Sequence, residues 1–223
     1  MKTKIVTSAL LSLALFSCSD SDNESKKEFK LFTTSNTTGK VSVTDMSTTT
    51  PMTSSFTVAS MDADGAYYFD DTDEFILASR SNNKVELYDG VSEAITSAAT
   101  SLTLGASSTV DFNNAREIAV MGDKVVVTQD QNAANSNTNK LIVYQKTATG
   151  FTLLNSYTVN FKTWGIHLVG NTLYAVADLT ADIVVFENFF ANANGAITPT
   201  KRVAIEGLVR THGITYSTSD DTM

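Results

Sequence analysis

The feature that most constrains this chain is a six-residue pattern that occurs four times. It stands at Lys40-Val41-Ser42-Val43-Thr44-Asp45, Lys84-Val85-Glu86-Leu87-Tyr88-Asp89, Lys140-Leu141-Ile142-Val143-Tyr144-Gln145 and Asp182-Ile183-Val184-Val185-Phe186-Glu187. The starts are 44, 56 and 42 residues apart, and the long interval contains an Asn-rich insertion, Gln131 to Asn139, without large apolar side chains. Each copy is short, rich in β-branched and aromatic residues and closed by a polar residue, the composition of a strand. A strand of this length must pair with others to be stable.

The partners are visible around each copy. Second strands precede the pattern at Leu31 to Thr34, Phe75 to Ser79, Val125 to Thr128 and Leu173 to Ala177. First strands precede those at Ala66 to Phe69, Ile118 to Met121 and Ile166 to Val169, with another at Ile214 to Ser217. Weaker fourth strands follow at Ser55 to Ala59, Ser101 to Leu104, Leu153 to Val159 and Lys201 to Ile205. Regular short strands separated by turn residues predict an all-β domain. A period in the forties is that of propeller blades, so residues 29–223 are expected to form a β-propeller of about four-stranded blades, four of them visible. Two endings are open. Ile214 to Ser217 could complete the first blade and close a four-bladed ring, or the sequence is a fragment of a larger propeller. The last eleven residues match the spacing of Gly65 to Phe75 throughout, including the acidic turns Asp73-Glu74 and Asp220-Asp221, and this favours the fragment.

Strand polarity places candidate site residues. With the first strand innermost and its neighbour antiparallel, the start of strand one and the end of strand two share a face. The residues at the first-strand starts are Asp64, Arg116, Trp164 and His212, each followed by glycine except at Glu117. These are expected to ring the mouth of a central channel. Asn36, Arg80, Asp130 and Asp178 occupy equivalent places after the second strands. Convergent polar groups of this kind mark a ligand site, although loop residues at such a mouth are polar simply because they meet water. Asp62-Ala63-Asp64-Gly65 has the opening of a calcium loop but lacks the later ligands, so a turn explains it better. His212 is better placed for chemistry than His167, which falls inside a first strand. Tyr67-Tyr68-Phe69 and Phe189-Phe190 suit either core packing or a stacking platform for sugars. No Gly-x-Ser-x-Gly, His-Glu-x-x-His, Cys-x-x-Cys-His or glycine-rich phosphate loop is present.

Gly-Asn-Thr-Leu-Tyr-Ala-Val-Ala-Asp (170–178) and Thr-His-Gly-Ile-Thr-Tyr-Ser-Thr-Ser-Asp-Asp (211–221) resemble YVTN-type and NHL-type propeller repeats. The resemblance spans Lys30 to the C-terminus and implies the fold without implying one activity. Gluconolactonase-type propellers are similar in holding a metal at the mouth with acidic and amide side chains. Here Arg116, Trp164 and His212 depart from that pattern, so no cofactor is expected; the alternative is calcium, to which Asp64, Asp130 and Asp178 would contribute carboxylates, with Arg116 and Arg80 opposing the cation.

The N-terminus carries an address. Lys2 and Lys4 precede an apolar run, Ile5 to Phe16, which is too short to span a bilayer. It ends at Leu15-Phe16-Ser17-Cys18, where Cys18 is the chain's only cysteine. This resembles the lipobox of bacterial lipoproteins, which implies a signal peptide over residues 1–17 and a lipidated Cys18. The polar segment Ser19 to Glu28 lacks apolar periodicity and is expected to be a flexible acidic tether. Acidic residues just after the cysteine resemble the surface-export signal of Bacteroidetes lipoproteins, implying an outer-membrane lipoprotein facing the cell surface or the periplasm. Partners are then the membrane, through the anchor, and a protein or glycan ligand. The net charge of −8, with no Lys/Arg cluster, opposes nucleic acid. Two functions follow: a non-catalytic binding or scaffold module, or a metal-assisted hydrolase or lactonase acting at the mouth with Asp64, Asp130, Asp178 and His212.

Overall fold

The computed structural model describes residues 29–217 and 219–223. Cys18, the signal segment and the acidic tether lie outside these. The described residues form four sheets that follow one another along the chain, and none closes into a barrel. The first sheet contains β1 (Lys30–Thr34), β2 (Lys40–Asp45) and β3 (Met52–Thr57). The second contains β4 (Ala63–Phe69), β5 (Glu74–Ser79), β6 (Lys84–Asp89) and, after the short helix α1 (Val91–Thr96), β7 (Thr103–Ser107). The third contains β8 (Ala115–Met121), β9 (Lys124–Gln129), β10 (Asn139–Thr147) and β11 (Gly150–Val159). The fourth contains β12 (Thr163–Val169), β13 (Thr172–Ala177), β14 (Asp182–Phe186) and, beyond β15 (Gly195–Ala196), β16 (Lys201–Ala204). β15 leaves the fourth unit to pair in parallel with β11, adding a fifth strand to the third sheet. All other ladders are antiparallel.

The sheets pack face to face because their middle strands are apolar on both sides. Successive strand residues point to opposite faces. On β5, Phe75 and Leu77 enter a cluster with Val41, Val43 and Phe56 of the first sheet. Ile76 and Ala78, from the same strand, pack with Ile118, Val125 and Val127 of the third. On β10, Ile142 and Tyr144 join that second cluster, whereas Leu141 and Val143 turn to Leu173, Ala175 and Phe186 of the fourth sheet. Three apolar layers therefore alternate with four sheets. Each fully buried Leu, Ile or Phe in them contributes roughly 1.5–3 kcal/mol.

One edge strand of each sheet, called here its inner strand, lies beside that of the next: β1 next to β4, β4 next to β8, and β8 next to β12. Glycine permits the closest of these approaches. A Cβ on Gly65 would lie 2.3 Å from the Ile118 nitrogen, and one on Gly165 would lie 2.6 Å from the His212 carbonyl oxygen. The C-terminal segment thus sits against β12 as β8 sits against β4.

Three sequence expectations need adjustment. The inner strands begin three residues earlier than expected, at Ala63, Ala115 and Thr163, because each contains a register shift that hides its alternation. Among the described residues, Ile214 to Ser217 forms no ladder and does not join the sheet of β1. It has one bridge, Ser217 with Thr222, too little pairing to make a strand. The aromatic clusters divide between roles. Tyr68 stacks on Phe32 at 4.6 Å inside the first interface, and Phe189 is fully buried. Tyr67 stays exposed, edge-on to Phe69 at 5.0 Å.

Candidate functional site at the mouth of the inner strands

The register shifts at the starts of β4, β8 and β12 are β-bulges. In β4, Ala63 pairs with Ser79 and Ala66 with Leu77, so Asp64 and Gly65 together oppose Ala78. Arg116-Glu117 and Trp164-Gly165 are placed in the same way. A bulge re-aims side chains at the end of a ladder. Here it turns Asp64, Arg116 and Trp164 toward one another on a single face. The backbone beside each bulge repeats as well. The N–H groups of Arg80, Asp130 and Asp178 donate to the carbonyls of Asp62, Asn114 and Lys162 at 2.8, 3.1 and 3.0 Å.

Charge alternates along this face. Arg80 lies 3.4 Å from Asp62 and 3.5 Å from Asp64. Arg116 reaches Asp64 at 3.2 Å and Asp130 at 3.1 Å. Lys162 stands 3.7 Å from Asp130 and 4.0 Å from Asp178. Arg210 clamps Asp178 with two bonds, of 2.8 and 2.9 Å, and the His212 ring nitrogen lies 3.7 Å from the same carboxylate. Asp130 and Asp178 are buried. Removing buried carboxylates from water is costly unless cations and donors face them. The Arg210 bonds hold the Asp178 carboxyl below its usual range.

Trp164 lies at the centre. The His212 ring stacks on it at 4.0 Å and 21°, and the Arg116 guanidinium carbon sits 4.6 Å from its centroid. Its indole nitrogen is buried with no acceptor among the described residues. Around these groups opens a cavity of about 500 Å³ walled by Asn36, Asp64, Arg116, Glu117, Trp164 and His212, among others. Glu117 is distinct. One of its carboxyl oxygens accepts the Ile118 N–H at 2.9 Å, and none of the ion pairs on this face includes it. Burial, reinforced by the nearby Asp64 charge, pushes its pKa up to about 7, while the Ile118 bond pulls the other way.

Of the eight residues expected at the mouth, Asn36, Asp64, Arg116, Trp164 and His212 line the cavity. Arg80, Asp130 and Asp178 stand behind them as ion-pair partners. Three further residues, Glu117, Lys162 and Arg210, were not singled out from the sequence. Each had a signal there. Asp62, Asn114, Lys162 and Arg210 each stand two residues before a first-strand start and recur at spacings of 52, 48 and 48. Glu117 is marked by its departure from glycine.

The side chains do not fit the calcium expectation. Arg116 lies between Asp64 and Asp130, and Lys162 between Asp130 and Asp178. Among the described residues, no three His, Cys, Asp or Glu side chains gather closely enough to hold a metal ion. The aspartates of Asp62-Ala63-Asp64-Gly65 both face Arg80. His167 is half-buried, which lowers its pKa, and lies 6.4 Å from the Tyr216 ring.

No family model matches the chain, and no curated protein does. Its structure is similar to a solved structure of a functionally unknown protein from Desulfotomaculum acetoxidans, with a TM-score of 0.58 and 13% identity. The match covers 81% of this chain and 55% of that one, so the chain spans about half the length of that structure. At this identity the likeness concerns the fold alone.

Proposed function

We propose that the four sheets are blades of a β-propeller and that the protein is a non-catalytic binding module, held at the outer membrane by a lipidated Cys18. The mouth of the inner strands is its ligand site. The blade reading is supported by four sheets in chain order with β1, β4, β8 and β12 side by side. The site reading rests on one observation: a cavity of about 500 Å³ at the strand starts, walled from the first sheet, from β4, β8 and β12 and from the C-terminal segment. Pockets of this size, with a few fixed polar groups, suit small ligands or single side chains of a partner.

Trp164 is the chain's only tryptophan and lines that cavity. Its emission therefore reports on the site directly. Titration of the full-length protein with neutral glycans and short peptides should quench or shift Trp164 for at least one class. The change should disappear in Asp64→Ala. Unchanged emission and melting temperature across the whole panel would overturn the site.

A further inference from the structure

The mouth holds five carboxyl groups that take part in its electrostatics: Asp62, Asp64, Glu117, Asp130 and Asp178. Against them stand four permanent cations, Arg80, Arg116, Lys162 and Arg210. All four cations are engaged by the aspartates. Arg116 spends Nη1 on Asp64 and both Nε and Nη2 on Asp130. Arg210 gives Nε and Nη2 to Asp178. Glu117 alone has a single backbone N–H and no cation. It lines the cavity that an entering group would occupy.

We infer that the mouth selects a ligand carrying a cationic group, an alkylammonium or guanidinium such as a lysine or arginine side chain, and that this group pairs with Glu117 in the cavity. The inference rests on the mouth being a ligand site and names what that site takes. A cation there completes the alternation of charge that runs from Asp62 to Arg210. An anion would meet Asp64 and Glu117 without finding a free positive partner. A neutral polyol would leave the Glu117 charge buried and unpaired, which is costly in a desolvated site. The position also explains a departure from the repeat. Where Gly65, Gly165 and Gly213 carry no side chain, the inner strand β8 presents a carboxyl.

Binding should depend on pH. The charged and polar groups that line the cavity with Glu117 are Asp64 from β4, Arg116, whose guanidinium is engaged by Asp64 and Asp130, Trp164 from β12 and His212 from the C-terminal segment. Protonation of Glu117 as pH falls removes the charge that the ligand meets.

The test uses three matched probes read by Trp164 fluorescence and by melting temperature: Nα-acetyl-lysine methylamide, its norleucine analogue and its glutamate analogue. With the full-length protein at pH 8, the lysine probe should bind at least tenfold more tightly than either analogue. Glu117→Gln, which keeps shape and removes charge, should abolish that preference. Lowering the pH to 5 should weaken the lysine probe at least tenfold in the wild type and much less in the variant. A preference for norleucine or glutamate, or a lysine preference that survives Glu117→Gln, would overturn the cation assignment while leaving the mouth as a ligand site. Silence of all three probes, together with silence of the glycan and peptide panel, would overturn both.

Discussion

The guanidinium carbon of Arg116 lies 4.6 Å from the centroid of the Trp164 ring, on a side chain that also bridges Asp64 and Asp130. One residue therefore ties β8 to β4, to the end of β9 and to β12. Arg116→Ala should destabilise the protein by about 2–3 kcal/mol, because it leaves Asp130 buried and short of a cation. Lys162, 3.7 Å from the other Asp130 oxygen, keeps the loss at the low end. Urea unfolding followed by Trp164 emission measures the change, and the native emission should shift as well.

Glu117 gives the protein a pH signature. Its folded pKa of about 7 is above the ordinary glutamate value of 4.5, so the folded state binds the proton more tightly than the unfolded chain. Its contribution to stability is fully present below about pH 4.5 and is lost as pH rises through about 7. The span is about 3 kcal/mol. Chemical denaturation between pH 4.5 and 8 should show this fall in the wild type and a flatter profile in Glu117→Gln. Asp178 works in the opposite direction and at lower pH, since Arg210 depresses its pKa, and so does not mask the effect.

Close approach of the inner strands makes one glycine critical and another dispensable. Gly65→Ala would place a methyl 2.3 Å from the Ile118 nitrogen and 2.5 Å from Glu117 backbone atoms, which only a backbone shift can relieve. It should cost about 1–3 kcal/mol. Gly213→Ala meets nothing within 4 Å and should leave the melting temperature within a degree or two. Thermal melts of the two variants side by side check the contrast.

The middle strands should be sensitive to truncation. Phe75 is fully buried between the first two sheets, with Phe32 stacked 5.4 Å away. Phe75→Ala should cost about 3–5 kcal/mol. A loss below 1 kcal/mol in guanidinium unfolding would mean that this interface collapses around the gap.

The proposed anchor has a direct readout. In its own cells the protein should incorporate a fatty-acid analogue and fractionate with the outer membrane. Cys18→Ala should lose the label and release the protein from the membrane fraction. Labelling that persists in the variant would remove Cys18 as the attachment point.

The repeat at Lys40, Lys84, Lys140 and Asp182 was legible because strand side chains alternate with a fixed period, and each repeat had to expose the same faces to its neighbours. β2, β6, β10 and β14 follow it closely. The starts of β4, β8 and β12 were not legible, since two bulge residues opposing one break that period. α1 was missed too: six residues with Val91 and Ala94 buried are too few to display a helical repeat. The Tyr216 hydroxyl donates to Asp221 at 2.6 Å as Tyr68 donates to Asp73 at 2.7 Å, so the similarity of the last eleven residues to Gly65–Phe75 reaches into their hydrogen bonding even though the ladder does not form.

By itself the sequence determined the strand content, the order of the units and the set of residues at the strand starts, because these depend on local pattern and on spacing along one chain. Only the tertiary structure decided which cation faces which acid. Arg116 serves Asp64 across 52 residues and Asp130 across 14, and Arg210 returns across 32 to Asp178. Coulomb energy and desolvation depend on distance and burial in space, to which sequence separation is blind. That is why Glu117, marked in the sequence only by standing where the other inner strands have glycine, emerges in space as the carboxyl at the mouth that no described cation faces.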